Sequence, residues 1–197
     1  MSNAVEALRA GQPVILPTDT VYGLCALALS GPTERLYALK GRDPSQPSAL
    51  LAADLDMLFE AVPELLGRSA VIAAALLPGP YTLVLPNPAK RFPWLTGSRP
   101  EAIGVRVPTL PEAAARVVAE TGCVVSTSAN LAGGHDPRRL DEVSPELLAQ
   151  VGASVDAGEL PGTPSTVLDF TGSEPRVIRE GAAPAAAALE LVALALA

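Results

Sequence analysis

Aromatic side chains make up only 4% of this 197-residue chain, and it has one histidine and one tryptophan. A core with so few rings has to be filled by Ala, Leu and Val. The 49% hydrophobic content against 18% charged residues suffices for that and excludes a disordered chain. The lone histidine, His135, lies in Gly133-Gly134-His135-Asp136-Pro137, and a loop of that kind does not hold a general base rigidly, so Ser–His–Asp catalysis is not expected. Cysteine is equally scarce. Cys25 and Cys123 sit in apolar surroundings, outside any CxxC pattern, and read as buried free thiols, which fits a reducing compartment better than a disulfide framework. Positive charge is short too: 14 Lys+Arg face 21 Asp+Glu for a net charge of −7, which argues against general nucleic-acid binding. No apolar stretch reaches the ~20 residues of a membrane span, and the first residues lack the regions of a signal peptide. The expectation is a cytoplasmic protein with no membrane partner. Neither GxGxxG nor GxxxxGK[ST] occurs, so any nucleotide is bound without a phosphate loop.

The chain alternates short apolar runs with helical spacings. Helices are expected at 4–10, 33–40, 55–61, 64–77, 111–120 and 145–151 and from Pro184 onwards. Strands are expected at 13–17, 24–29, 49–53, 81–85, 103–107, 123–126, 154–156, 166–170 and 176–178. Asp54 reads as a helix cap, and Pro111 with Gly122 brackets a helix with the usual asymmetry. Residues 86–100 are the most loop-like. The helix-free stretch after 152 breaks a pure βαβ alternation, so the fold class is α/β with a mixed sheet, in one domain over 1–197.

Several clusters can carry chemistry. Thr18-Asp19-Thr20 follows a buried strand, where open α/β sheets bind ligands. Lys40 and Arg42 flank a glycine at a helix end, joining a point charge to a planar fork, as a polyphosphate requires. As cations at a helix end they are expected to be solvated, so that removing them costs little stability. Ser126-Thr127-Ser128-Ala129-Asn130 offers hydroxyls and an amide at a strand exit, suited to phosphate oxygens. Arg106 interrupts a run that otherwise reads as buried strand; it is paired, in contact with a ligand, or snorkelling from an edge. Ser165 enters a further strand, and Arg179 stands at the end of another. Each cluster also has a plain reading as a turn, cap or solvated end.

Taken in order, PTDTVYGL (17–24), KGR (40–42), GPYT (79–82), GVRVP (104–108), STSAN (126–130), PSTVLD (164–169) and IREG (178–181) resemble the YrdC/Sua5 family across nearly the whole chain except its last helix. The resemblance implies a twisted mixed β-sheet flanked by helices, with a concave ligand cleft. It implies an ATP-dependent nucleotidyltransferase that joins L-threonine, bicarbonate or CO2 and ATP into threonylcarbamoyl-AMP, releasing pyrophosphate. A partner tRNA threonylcarbamoyl transferase then uses the product at adenosine 37 of tRNA. At this length the chain resembles the short YrdC form. Lys40 and Arg42 match the family's catalytic, phosphate-facing pair. Ser128, Asn130 and Arg179 match its ATP side, and Thr20, Arg106, Ser126 and Ser165 its threonine side. No residue is assigned to a metal; Mg2+ is expected to be held mainly by the nucleotide phosphates. Three positions depart from the family pattern: Asp43 and Ser48 after the Lys-x-Arg pair, and Ala132 after the SAN element. The alternatives are an RNA-binding or ribosome-associated module on the same fold, making at most weak RNA contact, and a carbamoyl-phosphate-using enzyme, which would need zinc-finger-like segments absent here.

Overall fold

The computed structural model describes residues 2–197. Short runs, fully buried in β1, nearly so in β2 and exposed in the edge strand β9, make its strands: β1 (Val14–Pro17), β2 (Tyr22–Leu27), β3 (Ala49–Leu51), β4 (Tyr81–Pro86), β5 (Ala102–Arg106), β6 (Val124–Ser128), β7 (Ala153–Ser154), β8 (Thr166–Asp169) and β9 (Arg176–Arg179). They form one nine-stranded sheet in the order β7-β1-β2-β6-β3-β5-β4-β8-β9. β1–β7, β3–β5 and β4–β8 are parallel and the other neighbours antiparallel, so the sheet is mixed, as expected.

The helices are α1 (Ser2–Arg9), α2 (Ser30–Lys40), α3 (Leu55–Ala61), α4 (Arg68–Leu76), α5 (Glu112–Thr121), α6 (Pro145–Leu148) and α7 (Ala185–Leu196). Asp54 caps α3, its carboxylate accepting the Met57 N–H at 2.7 Å. Gly41 ends α2 in the left-handed region at φ 66°, where a side chain is strained, and this turns Arg42 back so that its N–H reaches Tyr37 O at 2.9 Å. Two expectations shift. The fourth helix begins at Arg68, not 64, because Gly67 at φ 51° breaks the turn. The second strand begins at Tyr22, because it pairs directly with β1 (Pro17 opposite Tyr22).

Alternation along the strands sorts the sheet into two faces. Ile15, Leu24, Leu50, Leu83, Ile103, Val105, Val125 and Leu168 point to one face and are covered by α2, α3, α4 and α7. Val14, Leu16, Cys25, Leu51 and Val124 point to the other, under α1 and α5. Those two helices cover only part of that second face. The uncovered part carries Gly23, Ala49, Thr82, Val84, Gly104, Ser126, Ser128 and Val167, small or polar residues that need no helix above them. Cys25 is fully buried, as expected, and burial pushes its thiol up to about 11. Cys123 departs from the expectation: it is only half-buried, at the end of α5.

Candidate functional site

The uncovered sheet face is the floor of a cavity of about 360 Å3, within the usual size range of small-molecule sites. Two strand glycines shape that floor. A Cβ on Gly23 would stand 3.0 Å from Ser126 Oγ, and one on Gly104 would rise against Ser48 O and Thr82. Arg42, Arg106, Ser126, Ser128, Ser165 and Arg179, from five separate elements or loops, all line it. Thr20, Lys40 and Asn130 stand directly behind that lining, bonded to it.

At one end, Arg106 is 8% exposed on β5, a strand enclosed between β3 and β4, so it is neither at an edge nor snorkelling. Its Nη2 donates to Asp19 Oδ1 at 2.9 Å and to Thr20 Oγ1 at 3.2 Å. Asp19 Oδ2 also accepts the Thr109 N–H at 3.2 Å. Thr18 Oγ1 donates to Val21 O at 2.8 Å and accepts the Thr20 and Val21 N–H groups, which locks the turn that carries Asp19. Burial pushes the Asp19 carboxyl up from its ordinary value, against the opposing effect of Arg106. Burial lowers Arg106 too, but a guanidinium starts far above neutrality and stays charged.

At the other end, Lys40 is 4% exposed, which corrects the expectation of a solvated helix end. Gly41 closes the helix and residues 128–130 fold over its last turn, so Nζ donates to Ser128 O at 2.5 Å, Asn130 Oδ1 at 2.5 Å and Ser128 Oγ at 3.3 Å. Burial, helped by neighbouring Arg42, lowers the ammonium to about 8. Arg42 Nη2 donates to Pro47 O at 2.6 Å, while its Nε is buried without a partner. Ser126 and Ser128 belong to β6 itself and not to a loop beyond it, since β6 stays paired with β2 as far as Ser128 opposite Gly23. This is why both hydroxyls point to the same face.

The two ends meet on β8 and β9. Thr82 and Ser165 hydroxyls lie 2.8 Å apart, and Arg179 donates to Ser165 O through Nε at 3.1 Å and Nη2 at 2.8 Å. Arg179 therefore touches Ser165, although the two were expected on opposite sides of the site. Gly181 permits the approach: a Cβ there would collide with Pro164 O at 2.2 Å. His135 is exposed, and Tyr22, from the same segment as Thr20, points to the opposite face, where its hydroxyl lies 2.8 Å from Asp156 Oδ1. Sequence reasoning placed Asp19 in a candidate cluster without a role of its own and assigned none to Thr82, Arg99 or Asp136, although Thr82, Arg99 and Asp136 line the cavity and Asp19 holds Arg106. Strand alternation was a usable signal for Thr82, two residues before Val84 and out of phase with Leu83 and Leu85.

No group of three or more metal-ligating side chains gathers among the described residues, and no helix there is long and apolar enough to cross a membrane.

Comparison with known proteins adds to this geometry. The family model for Sua5, YciO and YrdC, described as "Telomere recombination", matches residues 6–181. A threonylcarbamoyl-AMP synthase of Stenotrophomonas maltophilia is 37% identical over 82% of this chain and 88% of its own length. One of Pyrococcus abyssi is 31% identical over 92% of this chain but only 54% of its own, so the chain spans about half of that relative. The crystal structure of P. abyssi Sua5 complexed with L-threonine superposes with a TM-score of 0.86 at 30% identity, over 95% of this chain and 56% of that one. E. coli YciO gives 0.79 at 29% identity, over 92% and 88%.

Proposed function

Since this chain belongs to the Sua5, YciO and YrdC family, we propose that it is an enzyme making L-threonylcarbamoyl-adenylate from L-threonine, bicarbonate or CO2 and ATP, with release of pyrophosphate. In this reading it is a nucleotidyltransferase, its described residues act as one catalytic unit in the cytoplasm, and its product passes to a transferase that modifies tRNA. The observation that carries the reading is that one cavity has two different cationic ends, a carboxylate-paired arginine and a lysine held by neutral oxygens.

The chemistry follows from those ends. Arg106, held by Asp19, presents a fixed fork to the substrate carboxylate, with the Ser126, Thr82 and Ser165 hydroxyls beside it. The amine of threonine adds to CO2 and loses a proton, giving a carbamate. A carbamate oxygen then attacks the α-phosphorus of ATP, and the bond to the departing pyrophosphate breaks. Arg42, Lys40, Ser128 and Asn130 form the other end, where negative charge collects as pyrophosphate leaves. Positioning and electrostatics dominate such a reaction, so the exposed His135 has no part to play. Mg2+ supplies charge neutralisation on the phosphates when bound with them. The RNA-binding alternative is disfavoured because Arg42, Arg99, Arg106 and Arg179 point into a small cavity, not across an open face.

Purified protein given ATP, Mg2+, bicarbonate and L-threonine should release pyrophosphate only when all are present. Equal release with threonine omitted would overturn the assignment.

A further inference from the structure

Two carboxylates line the cavity, Asp169 and Asp136, and they are in very different situations. Asp169 is fully engaged. Its Oδ2 accepts Arg99 Nη1 at 3.1 Å and Arg176 Nη2 at 2.7 Å, and its Oδ1 accepts the Thr171 N–H and hydroxyl at 2.8 and 2.6 Å. Asp19, behind the wall, is engaged by Arg106 and Thr109. Asp136 is half-buried and has no arginine or lysine within ion-pair distance among the described residues. Its one hydrogen-bond contact is a long one, from Asn130 Nδ2 at 3.4 Å.

Asp136 is nevertheless firmly placed. Asn130 Nδ2 donates to Gly134 O at 2.5 Å, Gly134 N–H to Leu131 O at 2.9 Å, and Tyr22 N–H to Pro137 O at 2.9 Å, so the segment is pinned on both sides of the carboxylate. It lines the cavity together with Ser128 and Arg42, at the end that receives phosphates in the proposed reaction. A free carboxylate beside a polyphosphate is repulsive unless a cation stands between them. A hard divalent cation is suited to that place, since Mg2+ is ordinarily held by one or two carboxylates, with phosphate oxygens and water completing its shell.

We infer that Asp136 is a direct protein ligand for the divalent cation that enters with the nucleotide, the metal position being shared between this carboxylate and the phosphates. The inference rests on the nucleotide-binding part of the proposed function and adds a protein ligand to it.

The electrostatics demand changes of opposite sign, which makes the test specific. Wild-type protein and Asp136→Asn are titrated calorimetrically with a non-hydrolysable ATP analogue, once with Mg2+ and once with EDTA. Asp136→Asn should bind the Mg2+ form at least about tenfold more weakly and the metal-free form as tightly as wild type or more so. Mn2+ replacing Mg2+, followed by its paramagnetic resonance in the nucleotide complex, should show weaker metal retention in the variant. Asp136→Ala should repeat the pattern, and threonine affinity should be unchanged in both. If Asp136 merely balances the charge of Lys40, removing it strengthens both nucleotide forms together. That outcome, or unchanged Mg2+-nucleotide affinity, overturns the inference. Wild-type protein that binds the Mg2+ nucleotide but makes no pyrophosphate with threonine and bicarbonate would sink the proposed reaction while leaving the metal position standing. Wild-type protein that binds neither nucleotide form would overturn both.

Discussion

Arg106 and Lys40 are both nearly inaccessible, at 8% and 4% exposure, yet the protein treats the two cations differently. Arg106 is neutralised before any ligand arrives, by a carboxylate at 2.9 Å that is itself anchored by a backbone N–H. Lys40 has only neutral oxygens within hydrogen-bond distance, a carbonyl, a hydroxyl and an amide, and the Asp136 carboxylate acts on it only from further off. The first arrangement fixes geometry and charge together, and suits a group that must read a planar carboxylate. The second leaves a charge that is incompletely compensated, and so responsive to an incoming polyanion.

Breaking the compensated end should have the largest effect. Asp19→Asn leaves a buried guanidinium without its carboxylate, and a loss of about 3–5 kcal/mol is expected from such a break. A thermal melt should drop by roughly 10 °C or more on that scale. The double variant Asp19→Asn with Arg106→Gln should recover part of the loss, since both charges are then gone. A single variant that melts like wild type would remove the distinction between the two ends.

The lysine end should give less in stability and more in chemistry. Lys40→Ala takes the ammonium from Ser128 O and leaves Asn130 Oδ1 with the Ser128 hydroxyl alone, costing about 1–3 kcal/mol unless water replaces the ammonium, and nucleotide affinity should fall at least about tenfold. Its pH behaviour sharpens the contrast. The folded value of about 8 lies below that of a free lysine, so the unfolded chain holds this proton more tightly. The resulting penalty on stability is complete below about pH 8 and disappears as pH rises towards the ordinary lysine value. A bound polyphosphate raises the group again, so nucleotide binding near pH 8.5 should take up as much as about one proton, falling towards none at pH 6. Calorimetry in buffers of different ionisation enthalpy measures this uptake, which Lys40→Ala should abolish.

The smallest effect belongs to a residue outside both ends. His135→Ala should keep kcat within about threefold of wild type; a hundredfold loss, the lower limit for a general base, would mean that proton transfer runs through the loop after all.

Much of this architecture was legible from residue patterns. Apolar runs located the strands, Asp54, Pro111 and Gly122 marked helix ends, and Arg106 announced itself as a charge inside a buried run. What patterns could not give was depth. Lys40 looked like a solvated helix end because its burial depends on residues 128–130, which lie 88 to 90 positions away along the chain for its bonds to Ser128 and Asn130. Asp19 looked like a turn former because its partner is 87 residues distant. Ser128 was read as lying beyond a strand that ended at Ser126, because hydroxyls are poor strand markers, and only pairing with β2 carries the strand on to it.

The strand order also bears on how the molecule assembles. Cys25 and Ser126, neighbours across β2 and β6 at the edge of the cavity floor, are 101 residues apart in sequence, and Thr82 and Ser165, which share a hydrogen bond, are 83 apart. The central pairings of β2 with β6 and β4 with β8 close long loops before any contact rewards them, a topology associated with slow folding. A chain captured part-way, with its hairpins β1–β2 and β8–β9 formed, has strands and helices but no cavity floor. In a refolding experiment, recovery of ligand binding should therefore lag behind recovery of secondary structure, and the interval between them measures how long the last long-range strand takes to find its place.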